Sequence, residues 1–253
     1  FFRSRVPVTQ GMRSNFAAKQ LIFAHAAVTD VSAGKLLHDQ RIARSSGAAQ
    51  VDLASASLED THIQLSDWSL QRQGDAYQAR VKAKTFSFDL ALKEAQPILL
   101  QGEQGWSRKG PQATQASWYY SLPQLDVRGT LMRDGQNLPV QGRAWLDHEW
   151  SQSLIHPDAV GWDWIGINLL DGSALTAFRL RTKAGNTLWA GGSFRAAGQT
   201  LPEVFAPNDV EFAPERSWKS PSSTTTYPVQ WGLRVRRNVK GEPVWQQFKV
   251  KAL

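Results

Sequence analysis

Apolar and polar residues alternate along much of the chain with a period of two, which is typical of β-strands with one buried face. Short sequences such as RDGQ at 133–136 and LDGS at 170–173 separate these segments and predict tight turns. The predicted strands are 19–28, 63–70, 77–83, 86–92, 129–132, 138–150, 163–170, 174–181, 188–194 and 229–235. Because a helical period of 3.6 is nearly absent, the sequence predicts an antiparallel all-β fold, either a sandwich or a barrel.

Two longer segments carry few strand signals and are predicted to be loops. Residues 95–117 are rich in Gly, Gln and charge, and residues 196–226 contain several prolines and a run of Ser and Thr. Loops of this length often carry function in compact β folds, and ordinary surface excursions would give the same pattern. Residues 152–160, with Pro157 inside, are expected to join two β domains. The predicted domains are therefore 1–152 and 153–253.

The composition excludes several classes of protein. The chain has 253 residues and no cysteine, which excludes a disulfide scaffold, a cysteine-ligated metal site and a cysteine nucleophile. No apolar segment approaches the roughly 20 residues of a membrane-spanning helix. Eleven tryptophans against four tyrosines indicate large apolar walls, in a core or around a ligand.

The chain is basic, with a formal net charge of +7. A basic protein can bind nucleic acid or a membrane surface. The densest cluster, Arg234, Arg236 and Arg237, nevertheless follows a strand pattern in which one face is solvated. We therefore predict no nucleic-acid partner, and leave open a membrane surface, an acidic ligand or a solubilising role for the charge.

The most distinctive motif is GRAWLDHEW at residues 142–150. On a strand, Trp145, Asp147 and Glu149 point to one face, and His148 and Trp150 point to the other. If the first face is internal, the two carboxylates form an acid–base pair beside an indole, because burial raises the pKa of a carboxyl group. If the second face is internal, His148 is the acid–base group. A core face backed by a solvated charged face is a third interpretation, and the spacing leaves all three open.

Two further motifs concentrate aromatic residues. In GWDW at 161–164, both indoles share one strand face and Asp163 lies on the other. In SWYYS at 117–121, Trp118 and Tyr120 share one face and Tyr119 takes the other. Each motif fits a ligand wall or ordinary core packing. The six tryptophans outside these motifs and the 142–150 segment are assigned to barrel packing.

Sequence signatures of nucleotide-binding loops, serine hydrolases and zinc metalloproteases are missing. Apart from His148, which lies beside carboxylates, the histidines are scattered along the chain. We therefore predict no metal and no cofactor.

In this order, the motifs resemble the lipocalin-like family of carotenoid 1,2-hydratase (hydroxyneurosporene synthase) and of the AttH-like secreted hydrolases. The resemblance covers nearly the whole chain, and GRAWLDHEW followed by GWDW is its most specific part. The matching segments are FFRSR at 1–5, QLIFAHAA at 20–27, LHDQRIAR at 37–44, DWSL at 67–70, residues 106–122, GRAWLDHEW at 142–150, GWDW at 161–164 and residues 218–231.

The resemblance implies two consecutive lipocalin-like antiparallel β-barrels, packed together and enclosing an apolar pocket. Family members usually carry a Pro-Glu-Trp-Trp-Tyr segment before FFRSR and further strands after the last residues seen here. We therefore expect the first strand of the N-terminal barrel and the last strands of the C-terminal barrel to be missing from 1–253.

The resemblance also implies a chemistry. In the hydratases of the family, an acid protonates a C=C bond of a lipophilic substrate and water captures the carbocation. Together with the motifs, it predicts catalytic roles for Asp147, His148, Glu149, Asp163 and Tyr120. The predicted ligand-binding residues are Trp118, Tyr119, Trp145, Trp150, Trp162 and Trp164.

Two functions follow as expectations. The first is a hydratase or hydrolase that acts on a terpenoid, carotenoid or lipid-like molecule. The second is a non-catalytic carrier of a hydrophobic ligand that works with an envelope ABC transporter. The resemblance to secreted members places either one in the bacterial periplasm or cell envelope.

Overall fold

The computed structural model describes residues 1–47, 52–152, 155–221 and 223–252. In these residues it contains β-strands and two single-turn 3-10 helices, Pro7–Thr9 and Pro207–Asp209, which confirms the all-β prediction. The strands are β1 (Phe2–Arg5), β2 (Gln20–Asp30), β3 (Lys35–Ser45), β4 (Ala54–Ala56), β5 (His62–Leu65), β6 (Trp68–Gln73), β7 (Ala76–Lys82), β8 (Phe86–Lys93), β9 (Leu99–Leu100), β10 (Trp106–Arg108), β11 (Ala116–Arg133), β12 (Gln136–Trp150), β13 (Gly161–Asn168), β14 (Ala174–Arg181), β15 (Thr187–Arg195), β16 (Glu203–Phe205), β17 (Val210–Lys219), β18 (Thr226–Val239) and β19 (Glu242–Lys251). The described part of the chain offers no helical segment with the length and apolarity of a membrane span.

The strands form curled antiparallel sheets that resemble half-barrels. Three of them have the orders β1-β2-β3, β13-β14-β15-β16 and β17-β18-β19. The largest has the order β10-β11-β8-β7-β6-β5-β4, and β9 and β12 also pair with β11. Most neighbours are also consecutive in sequence, as expected for strands joined by short turns.

The chain divides into two compact units. The first consists of residues 1–94 and 126–143, and the second of residues 95–125 and 144–253. The predicted boundary at residue 152 falls inside the second unit, and residues 153 and 154 of the predicted joint lie outside the described residues. The assignment of one barrel domain to each half of the sequence stays a prediction.

Each unit has its own apolar core, built from alternate residues of its strands. In the first unit, Ile22, Ala24 and Ala26 of β2 pack with Trp68. The core of the second unit contains Leu175, Ala177, Ala190, Phe194, Phe205, Val210, Leu233 and Val235. The period of two in the sequence therefore reports the buried face correctly in these strands.

The long hairpin of β11 and β12 carries two of the sequence motifs. Its turn, Asp134-Gly135, has positive φ angles of 52° and 76°, which suit the primed turns that match the twist of paired strands. The motif SWYYS lies at the start of β11 and GRAWLDHEW at the end of β12. Because β12 pairs with β11, the hairpin brings these distant motifs together. The motif GWDW opens β13.

Three sequence-based expectations are wrong. The predicted loop 196–226 contains the ten-residue strand β17, and the predicted loop 95–117 contains β9 and β10. Among the tryptophans assigned to packing, Trp68 is fully buried, but Trp218 and Trp245 are 49% and 37% exposed. A count of indoles therefore does not report how many are buried.

Candidate active site

A carboxyl group anchored by three hydrogen bonds lies where β11, β12 and β13 contribute side chains. Asp147 Oδ1 accepts hydrogen bonds from Tyr119 Oη at 2.9 Å, Ser121 Oγ at 2.7 Å and Trp145 Nε1 at 2.8 Å. Trp164 Nε1 donates to Tyr119 Oη at 3.2 Å. We call these five residues the Asp147 cluster. The alternation of β-strands explains it, since Tyr119 and Ser121 share one face of β11, and Trp145 and Asp147 share one face of β12.

The environment of Asp147 favours its protonated form. Burial by the surrounding protein is the main cause that raises the pKa of this carboxyl, and the charge of Glu149 adds to it, although the three hydrogen bonds oppose the shift. The residue itself remains accessible to solvent. Protein therefore surrounds the carboxyl closely enough to raise its pKa, while part of the residue stays open to solvent.

The two oxygens of Asp147 differ. Oδ1 holds all three donors, and Oδ2 has no hydrogen-bond partner among residues 1–47, 52–152, 155–221 and 223–252. Because donors stabilise a carbonyl-like or negative oxygen, a proton on this carboxyl belongs on Oδ2. The arrangement therefore presents a proton away from the anchoring groups.

A second carboxylate lies on the same face of β12 and is held in an ion pair. Glu149 Oε1 is 3.0 Å from Lys109 Nζ and accepts a hydrogen bond from Ser117 Oγ. Lys109 Nζ also lies 4.6 Å from the ring centroid of Tyr119 and 4.4 Å from that of Phe178. Burial lowers the pKa of Lys109, and the charges of Glu149 and Asp147 counteract this. Glu149 is thus held by a cation and a hydroxyl donor.

The indoles of Trp145 and Trp164 meet above a glycine. A Cβ atom on Gly166 would lie 2.8 Å from Trp164 and 3.0 Å from Trp145. Both rings therefore use the space that the missing side chain leaves. The Nε1–H edge of Trp145 points at Asp147 and that of Trp164 at Tyr119. The hydrogen bond from Trp145 confirms that Trp145 and Asp147 lie on the same face of β12.

A second group of predicted site residues meets on the opposite face of the hairpin. The His148 cluster consists of His148, Tyr120 and Trp150. Tyr120 Oη and His148 Nδ1 are 2.8 Å apart, and the ring of His148 lies 5.2 Å from that of Trp150. Trp118, on the same face of β11 as Tyr120, packs against Trp106 at 5.0 Å and is 46% exposed.

Asp163 is not part of either cluster. Its Oδ2 accepts a hydrogen bond from Arg179 Nε at 2.7 Å, and Arg181 Nε lies 2.9 Å away without the alignment of a hydrogen bond. Asp163 is therefore part of an ion pair that links β13 to β14. Trp162, on the other face of β13, is 63% exposed.

Three side chains near the carboxylates were not among the predicted site residues. Ser117 and Ser121 flank Tyr119 at spacings of two, so the alternation within SWYYS would have identified them. Lys109 follows β10 and reaches Glu149 from a segment predicted to be a loop. Only the fold shows that contact.

No three His, Asp or Glu side chains lie close enough to hold a metal ion in the part of the chain that the structure describes. Two open clefts of about 300 and 360 Å³ lie in the first unit, and no predicted site residue lines either of them.

Comparisons with other proteins give a family and a fold. The sequence profile of the AttH-like family matches residues 1–251. A crystal structure of a proposed AttH from Nitrosomonas europaea is 45% identical, with a TM-score of 0.81, and the match covers 87% of this chain and 68% of the other. No curated protein is significantly similar in sequence.

A more distant structure shares the fold. Kievitone hydratase from Nectria haematococca is 15% identical, with a TM-score of 0.67 over 85% of this chain and 66% of its own. These comparisons confirm the lipocalin-like fold class. The chain spans about two thirds of the length of each matched structure.

Proposed function

The chain belongs to the AttH-like family, and from the geometry of the Asp147 cluster we propose that it is a hydratase or hydrolase that acts by acid–base chemistry on a lipophilic small molecule. The observation that carries the proposal is the Asp147 carboxyl, whose raised pKa favours a protonated Oδ2 beside two indoles. An acid that keeps its proton closer to neutral pH is what the protonation of a C=C bond requires.

The indoles of Trp145 and Trp164 suit such a reaction. Protonation of an alkene leaves a carbocation, and the electron-rich face of an indole stabilises a nearby cation. A lipophilic substrate bound against these indoles would itself keep bulk water away from the reacting carbon. Kievitone hydratase, which shares the fold, is named as a hydratase and supports this choice of reaction class.

Glu149 provides the partner base. Residues i and i+2 on one strand face are about 6.6 Å apart, a separation that leaves room for a water molecule between two carboxyl groups. In the proposed step, Asp147 Oδ2 transfers its proton to one alkene carbon, and the water oxygen bonds to the other. Glu149 accepts a proton from that water, so one water is added in total. The same pair can assist water in cleaving an ester. A terpenoid, carotenoid or lipid-like substrate fits the apolar walls.

The test is to incubate the purified protein with a panel of lipophilic alkenes and esters in H₂¹⁸O. We expect one ¹⁸O in the product and a rate that falls as the pH rises through the pKa of Asp147. Asp147→Asn and Glu149→Gln should each reduce kcat by about 10²–10⁴-fold. The matched control is Asp126→Asn, because Asp126 is an exposed carboxylate that pairs with Arg143.

Two outcomes would contradict the proposal. Turnover at the wild-type rate in both Asp147→Asn and Glu149→Gln would show that these residues are not the acid and the base. A loss of activity only in His148→Ala would show that the His148 cluster is the active site. A lipid that co-purifies unchanged, without any turnover, would instead support the carrier function.

A further inference from the structure

A buried glutamine connects the Asp147 cluster to two strands behind it. Gln101 follows β9, and its backbone N–H donates to the carbonyl of Tyr119 at 3.1 Å. Its side chain is 2% exposed, and the hydroxyl-bearing residues that it contacts, Ser121, Thr176 and Ser193, are fully buried. A buried amide with no charged partner needs a reason, because each unpaired polar atom would be costly.

The Gln101 side chain donates two hydrogen bonds and accepts one. Nε2 donates to Ser121 Oγ and to Thr176 Oγ1, both at 2.9 Å, and Oε1 accepts from Ser193 Oγ at 2.8 Å. Both N–H groups and one of the two lone pairs of the carbonyl oxygen are thus used. Since Thr176 lies on β14 and Ser193 on β15, the contacts fix the amide relative to two paired strands.

The orientation of this amide decides where the proton of Ser121 goes. A serine hydroxyl has one proton. Because Gln101 Nε2 occupies an acceptor position of Ser121 Oγ, the hydroxyl proton remains available for Asp147 Oδ1, 2.7 Å away. If the amide were reversed, Ser121 would donate to it and would no longer donate to Asp147.

We propose that Gln101 is a positioning residue that directs the Ser121 hydroxyl towards Asp147 and thereby anchors the carboxyl through Oδ1. Its catalytic consequence rests on the proposed function, whereas its effect on the carboxyl does not. The side chain of Gln101 makes no hydrogen bond to Asp147, so it acts on the carboxyl through Ser121.

The test is the ionisation of Asp147, followed by ¹³C NMR of carboxyl-labelled aspartate, with the signal assigned from its loss in Asp147→Asn. Gln101→Met keeps the size of the side chain but cannot donate to Ser121. The Ser121 hydroxyl is then no longer oriented, and it spends less time in a hydrogen bond to Asp147. The pKa of Asp147 should then rise, because hydrogen bonds to the ionised form lower it. Ser121→Ala should produce an upward shift at least as large, and Gln101→Met should add nothing in the Ser121→Ala background.

The titratable groups around Asp147, namely Tyr119, Glu149 and Lys109, are unchanged in all of these variants. The matched control is Ser173→Ala, which removes a buried hydroxyl that accepts from the backbone N–H of Ala197 and should leave the pKa of Asp147 at its wild-type value. If Gln101→Met does not fold, Ser193→Ala replaces it. There the amide can reverse, and a smaller upward shift is expected that vanishes in the Ser121→Ala background.

Three results would overturn the proposal: no shift in the Gln101 or Ser193 variant, an equal shift in the Ser121→Ala background, or an equal shift from Ser173→Ala. Where the wild type is active, the apparent pKa in the pH profile of kcat/KM should shift in Gln101→Met by as much as the Asp147 pKa measured by NMR. The kcat of this variant should fall by up to about 100-fold. A pKa shift in a protein without turnover would retain the positioning role and reject the proposed function.

Discussion

Asp147 is subject to two opposing influences. Three hydrogen bonds to one oxygen favour the carboxylate, and burial together with Glu149 favours the neutral acid, with burial the largest effect. A carboxyl that only stabilised the fold would gain from the hydrogen bonds without the burial. This combination is typical of a group that holds a proton for a reaction. Burying the carboxyl lowers the stability of the folded protein at neutral pH.

This cost leads to a prediction for Asp147→Asn. The pKa of Asp147 is raised in the folded protein, so its stabilising contribution is fully present below the unfolded value of about 3.9 and is lost as the pH rises through the folded value. Asparagine has no such dependence and keeps an oxygen for the three donors. The Tm of Asp147→Asn should therefore exceed that of the wild type at neutral pH, and the difference should close towards pH 3. A wild type more stable than Asp147→Asn at pH 7 would contradict it, and Asp126→Asn is the control.

At the residue scale, the sequence predicts which side chains share a face and not which side chains meet. The alternation correctly separates Trp145 and Asp147 from His148 and Trp150. The partners of Asp147 on β11 depend on the register between two strands, which a single sequence does not contain. For the same reason, the motifs alone could not decide whether Tyr119 or Tyr120 contacts Asp147.

At the element scale, the close approach of β11 and β8 depends on a residue without a side chain. Gly129 pairs with Leu90, and a Cβ atom at this position would lie 2.1 Å from the carbonyl oxygen of Asp89. Neither strand can move without breaking the ladder on both sides. The missing side chain is therefore a requirement of the first unit.

We predict that Gly129→Ala lowers the free energy of unfolding by about 1–3 kcal/mol, the usual range for overpacking. Gly142→Ala is the matched control, since a Cβ atom there would meet nothing within 4 Å and the change is expected to be close to neutral. Urea unfolding followed by circular dichroism measures both variants. Equal stability of the two would show that β11 and β8 can separate locally at no cost.

The missed strand β17 shows why proline misleads in a single sequence. Pro214 has no N–H for the ladder and indicates a loop when it is read alone. In the structure, β17 is an edge strand of its sheet, and its register with β18 shifts between Pro214 and Arg216. Edge position and a bulge both tolerate proline, and neither can be recognised before the sheet is known.

At the scale of the whole molecule, the net charge of +7 does not come from an unpaired basic surface at the densest arginine cluster. The densest basic cluster of the sequence is paired with carboxylates of the same unit. Its ion pairs are Arg234–Glu211 at 2.9 Å, Arg236–Asp209 at 2.6 Å and Arg237–Glu203 at 3.2 Å. Paired arginines release few counterions from a polyanion.

We therefore predict that the protein binds a DNA duplex more weakly than a Kd of about 10⁻⁴ M at physiological salt, the weak end of non-specific binding. The double variant Glu211→Gln/Glu203→Gln, which frees two arginines, should bind more tightly and with a steeper dependence on salt. Fluorescence anisotropy with a labelled duplex measures both proteins. Tight and strongly salt-dependent binding by the wild type would contradict the prediction.

The anchoring of Asp147 through a single oxygen has a stereochemical consequence. A carboxyl held at Oδ1 by donors from β11 and β12 cannot rotate about its Cβ–Cγ bond without losing all of them. For the proposed hydration, the acidic proton then approaches the alkene from one fixed direction. The new C–H bond forms on one prochiral face only, and the product is a single stereoisomer at that carbon. The handedness of the product would thus be set by three hydrogen bonds that never touch the substrate.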